Sequence, residues 1–162
     1  MTLIHPSSVV DPSAVLRELE TGPPFYHWYF MRKWRASLRR KRALFPHAHA
    51  FGDDILRRDM RGLTQWLVGQ HTDWPDEETY FGGYSVAGAR LSALRVPTRI
   101  LAAADDPVIP IASLRGLQLS DTAMLEICEH GGHCGFIRDW QLHGFAEQWL
   151  KTGLIAALDG VQ

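Results

Sequence analysis

One stretch constrains the fold of this chain more than any other: Arg99 to Phe136, RILAAADDPVIPIASLRGLQLSDTAMLEICEHGGHCGF. Two short apolar runs, Thr98 to Ala104 and Met124 to Cys128, read as strands. The segment between them, Ile111 to Leu119, reads as a helix. Strand, helix, strand implies parallel pairing through a crossover. Asp106 and His133 then fall just past the ends of neighbouring strands, where a carboxylate can orient an imidazole base. A nucleophile would complete such a site.

The rest of the chain sets the context. With 162 residues, 46% hydrophobic, one globular domain is expected. The formal net charge of -1 gives no overall field for nucleic acid or membranes, so any basic function has to be local. Cys128 and Cys134 are the two cysteines, too few for a disulfide framework. The segment MTLIHPSSVV lacks the charged and apolar regions of a signal peptide. A cytoplasmic location is therefore expected, and no apolar run approaches the roughly 20 residues that span a bilayer.

Along the chain, Thr2 to Val10 suits a strand closed by Asp11-Pro12, with an edge open to pairing. Ser13 to Glu20 suits a short helix. Phe25 to Leu44, FYHWYFMRKWRASLRRKRAL, suits a long one, with Phe30, Trp34 and Leu38 as its apolar stripe and Arg32, Arg35, Arg39 and Arg42 as a basic one. Asp53 to Val68 is a second amphipathic segment, and Asp76 to Leu94 a loop with short helical turns. Arg138 to Leu150 reads as a closing helix anchored by Trp140, Phe145 and Trp149. The expected architecture is α/β: about three parallel strands flanked by helices, with a helical cap-like region at 13–94 and a strand–helix core at 95–162.

The segments FYHWYFMRKWRASLRRK, VPTRILAAADDPVIP and EHGGHCGF together resemble the α/β-hydrolase superfamily, and most closely its YheT-like, or embryogenesis-associated-protein-like, branch. The resemblance runs over nearly the whole chain. It implies a partial α/β-hydrolase fold retaining three of the family's eight strands, and carboxylic-ester hydrolysis through serine without a cofactor. It also implies that Asp106 is the triad acid and His133 the general base, with Asp105 as an acidic neighbour. Glycines on both sides of His133 let that loop turn tightly.

The family's G-x-S-x-G nucleophile elbow is not found in these residues. Gly83-Tyr84-Ser85-Val86-Ala87 lacks the last glycine and a preceding strand, and Ser7 and Ser8 follow a proline. The chain is therefore expected to match the C-terminal half of such a hydrolase and to be inactive alone. An ester would be its substrate only once the missing half completes the site.

Other readings stay open. Asp106 can be a turn or helix cap, and His133 a satisfied loop histidine. Cys128, His130, His133 and Cys134 have zinc-type donors, although adjacent His133 and Cys134 would struggle to face one ion. His47, His49, Asp53 and Asp54 form a second ligand-like group. Seven of the eleven residues from Arg32 to Arg42 are basic, a pattern suited to phosphates or acidic lipid. These charges can also pair with Asp53, Asp54 and Asp59 on a solvated face, and no nucleic-acid partner is expected. A non-catalytic half-domain, complementing or self-associating through the strand at 2–10, is the remaining alternative.

Overall fold

The computed structural model describes residues 3–6 and 8–159; Thr2 and Ser7 lie outside the described residues. Two compact units result: one of residues 1–15 with 85–162, the other of residues 16–84. The helical region expected over 13–94 is thus divided between them, with Ser85 to Leu94 belonging to the first unit.

The first unit is built on a three-stranded parallel sheet, β1 (Leu3–Pro6), β2 (Thr98–Ala103) and β3 (Ala123–Cys128), in the order β1-β2-β3. The chain is α/β, as the alternation of apolar runs and helices implied. Leu3 sits opposite Thr98, and Thr98 opposite Ala123, through to Ala103 opposite Cys128. β2 is the central strand. Ile100 to Ala103 are all buried there, the unbroken apolar run of a strand covered on both faces. Ser8 to Val10, part of the expected strand Thr2–Val10, lie outside β1.

Two helices of this unit differ from expectation. The helix after β2 covers only Ile111–Arg115. Gly116 takes its C-terminal end, and Gln118 N–H leaves to bond the Gly88 carbonyl at 2.8 Å. The closing helix starts at Phe145, seven residues later than Arg138, and runs to Asp159. Before it, Asp139 accepts from the amides of Gln141 and His143 and from His143 Nδ1, folding 138–144 into a tight turn with Leu142 at φ 64°. Those bonds give the backbone an alternative to helix. Trp140 consequently points into solvent, whereas Trp149 and Phe145 do pack against Leu101, Ala103 and Phe136.

The second unit is helical. Numbered in chain order, α1 (Pro12–Thr21) straddles the boundary, followed by α2 (Pro24–Leu44), α3 (Asp53–Arg57), α4 (Met60–His71) and α5 (Glu77–Tyr84). The helices of the first unit are then α6 (Ile111–Arg115) and α7 (Phe145–Asp159). Proline within the first turn suits the start of α2, where no N–H partner is lost. The amphipathic segment Asp53 to Val68 falls into two helices. Arg58 is extended, and Asp59 caps α4 by accepting from Gly62 N–H at 2.8 Å. On α2 the buried positions are Met31 and Leu38; Phe30 and Trp34 are only half-buried. Arg61 is held between Glu20 and Glu77, and these carboxylates, Glu20 first, push its guanidinium pKa further up.

Candidate active site

Adjacent parallel strands finish at the same edge of the sheet, so the segments after β2 and β3 emerge side by side. Ala104 N–H donates to the Cys128 carbonyl at 2.8 Å, which extends the pairing one step beyond the strands. The chain then turns at Asp106, whose Oδ1 accepts from the amides of Val108 (2.8 Å) and Ile109 (2.9 Å). Val108 and Ile109 are themselves buried, so the carboxylate is fixed from below. His133 Nδ1 lies 3.2 Å from each Asp106 oxygen. The Asp106 side chain is 3% exposed and that of His133 33%. Donation from Nδ1–H to the carboxylate leaves Nε2 as the acceptor nitrogen. Asp106 is thus a turn cap and the partner of His133 at once, through different lone pairs.

The loop carrying His133 is held by a residue whose role the sequence left open. Asp105 Oδ1 accepts from Gly131 N–H (2.9 Å) and Gly132 N–H (2.8 Å), and His130 Nδ1 lies 3.6 Å from Oδ2. The Gly132 amide bond chiefly, with the Gly131 amide and His130 adding to it, holds the Asp105 carboxyl below the usual range against the opposing effect of burial. At the far end Phe136, 2% exposed, plugs the loop into the core, and its N–H bonds the Gly131 carbonyl at 2.8 Å. Neighbouring acidic residues therefore divide the work: Asp105 holds the loop backbone and Asp106 the imidazole. The signal for this was present as Asp-Asp facing Gly-Gly-His.

Of the candidate serines, Ser85 and Ser8 form no bond to His133. Ser85 Oγ donates to the Val10 carbonyl at 3.2 Å and accepts from Ala87 N–H, which makes it a turn residue at the end of α5. Ser8 Oγ is buried without a hydrogen bond, in a cavity of about 500 Å³ lined by Val10, Val86, Leu94, Thr98 and Ile100. That cavity reaches the Thr98 end of β2, whereas the Asp106–His133 pair follows its Ala103 end. Among the described residues no serine bonds His133.

The ligand-like groups do not converge. Among the described residues no three His, Cys, Asp or Glu side chains form a metal-holding group. Cys128 lies in β3, with its thiol pKa raised by burial and then by Glu126, while His130 and His133 face different carboxylates. His49 packs its ring 5.5 Å from that of His71, and Asp53 is taken by Arg42 at 2.9 Å.

Compared with known proteins, the chain matches no family model, no curated protein and no solved structure. No helix among the described residues is long and apolar enough to cross a membrane.

Proposed function

We propose that this chain supplies the acid and base of a serine-type site that hydrolyses carboxylic esters by acyl transfer. The observation that carries the reading is His133 Nδ1 set against both oxygens of a nearly inaccessible Asp106 at the ends of adjacent parallel strands. In the first step His133 Nε2 accepts the proton of a serine hydroxyl as that oxygen attacks the ester carbonyl. The tetrahedral intermediate then expels the alcohol, which takes the proton back from Nε2. Water repeats the sequence to release the acid. Asp106 fixes the tautomer and stabilises the imidazolium. Among the described residues no serine bonds His133, so this reading takes the serine and the oxyanion donors from elsewhere, on a longer chain or a second one.

The chain alone is expected to resist a fluorophosphonate probe; stoichiometric labelling of Ser7, Ser8 or Ser85 contradicts this reading. The nucleotide sequence upstream of the Met1 codon is to be searched for G-x-S-x-G and expressed together with this chain. Turnover of a p-nitrophenyl ester by that product is then expected to fall by about 10³–10⁴ on His133→Ala or Asp106→Asn. Turnover indifferent to both substitutions sinks the proposal.

A second reading rests on β1, which pairs with β2 alone among the described strands. An open edge of this kind suits a non-catalytic half-domain that completes its sheet with a partner or a second copy. Light scattering after size exclusion decides it, since a monomer at high concentration removes the support.

A further inference from the structure

The basic stripe read from the sequence of α2 separates into two faces. Arg42 donates to the Phe51 carbonyl and pairs with Asp53, and Arg35 donates to the Arg58 carbonyl; both lie toward the side that buries Met31 and Leu38. On the opposite side, one stripe at helical spacing runs Phe25, Trp28 and Tyr29, then Arg32, Arg39 and Arg40. Phe25 is 65% exposed and Trp28 54%. The aromatic rings cluster, with Phe25 6.0 Å from Trp28 and 6.4 Å from Tyr29. The cations begin one turn later, with Arg32 lying 5.4 Å over Trp28 and Lys33 5.6 Å over Tyr29. No acidic residue occurs from Pro24 to Leu44. Among the described residues Arg32, Lys33, Arg39 and Arg40 form no ion pair, unlike Arg42.

We propose that this face of α2 docks the protein onto an anionic lipid bilayer, lying in the plane of the interface. Charge complementarity names the occupant: Arg32, Lys33, Arg39 and Arg40 form no ion pair among the described residues, although Arg39 lies near enough to Asp53 to help lower its pKa, and together they attract a surface of phosphate headgroups. The aromatics name the kind of surface. Exposed Trp, Tyr and Phe side chains gain by entering the headgroup boundary, whereas a duplex backbone would use the cations and leave the rings in water. At 21 residues α2 is about 30 Å long, but its charges forbid it to span and place it along the surface. Arg35 and Arg42, turned inward, keep the helix tied to its own unit while the opposite face is free to dock.

Flotation of the full 162-residue chain with vesicles tests this. The wild type is expected to float with phosphatidylcholine containing about one-third phosphatidylserine, not with pure phosphatidylcholine, and to be released near 1 M salt. Arg39→Glu with Arg40→Glu, and separately Phe25→Ser with Trp28→Ser, should each weaken binding at least tenfold, roughly, with unchanged circular dichroism. Should a double variant misfold, the single exchange Arg40→Gln still predicts a loss of about fivefold. The proposal is overturned if the wild type ignores anionic vesicles, binds neutral ones equally well, or binds them unaltered by either exchange. Displacement from vesicles by double-stranded RNA, with the Phe25 and Trp28 exchange leaving RNA affinity unchanged, would assign the face to nucleic acid instead.

Discussion

Gly131 has no room for a side chain: a Cβ there would lie 2.7 Å from the Phe136 ring and 2.9 Å from the Ala103 methyl. Gly131→Ala should cost about 1–3 kcal/mol in urea unfolding by overpacking. Gly132 has open space around it but sits at φ 54°, so Gly132→Ala should cost about 1–2 kcal/mol from backbone conformation alone. Asp105 predicts a pH dependence. Its folded pKa is lowered, the Gly132 amide being the largest cause. Its carboxylate therefore stabilises the fold above the unfolded aspartate pKa of about 3.9, and that contribution disappears as pH falls through the lower folded value. The stability gap between wild type and Asp105→Asn should be level near neutrality and close on acidification; a gap that widens in acid contradicts the bonding described. The thiols differ as well. Cys134 is exposed, while burial and Glu126 raise the Cys128 pKa. A thiol reagent at neutral pH should modify Cys134 first, and Cys134→Ser should abolish the fast phase. That Asp106 and His133 each follow an apolar strand was legible in the sequence. The role of Asp105 was not, because its partners are backbone amides, which no residue type marks in a sequence.

Elements were legible where periodicity was sustained and misplaced where a side chain competed for the backbone. Thr98–Ala103, Ala123–Cys128 and Pro24–Leu44 lie within a residue of their expected bounds. Two of the differences fall at aspartates, and a third at Gly116, where α6 ends early. Asp59 divides the amphipathic segment Asp53 to Val68 into α3 and α4, and Asp139 delays α7. The tryptophans expected to anchor the last helix consequently have unequal weight. Trp149, 6% exposed, donates Nε1–H to Glu126 at 2.6 Å and packs 4.7 Å from the Arg99 guanidinium. Trp149→Ala should cost about 3–5 kcal/mol. Trp140 is fully exposed, so Trp140→Ala should stay within about 0.5 kcal/mol of wild type. Equal effects in thermal or urea unfolding would contradict the position of α7. Asp59→Ala should remove about 1 kcal/mol by uncapping α4, and Asp59→Ser should restore most of it.

At the scale of the whole molecule the charge is almost balanced, with an isoelectric point near 6.7. Solubility, followed by static light scattering against pH, should pass through a minimum close to that value and recover on either side. The sequence by itself determined the α/β class, the parallel sense of β2 and β3, the long α2 helix and the placing of Asp106 and His133 after strands. Those features follow from apolar periodicity and from local backbone rules, which act over a few residues. Only the tertiary structure decided which side chains are already engaged. Ser85 is held by a carbonyl 75 residues away, Arg42 is taken by Asp53 while Arg39 is left free of ion pairs, and the amides of Gly131 and Gly132 turn to Asp105. Partner choice depends on distances through space between remote segments, and no local pattern encodes them.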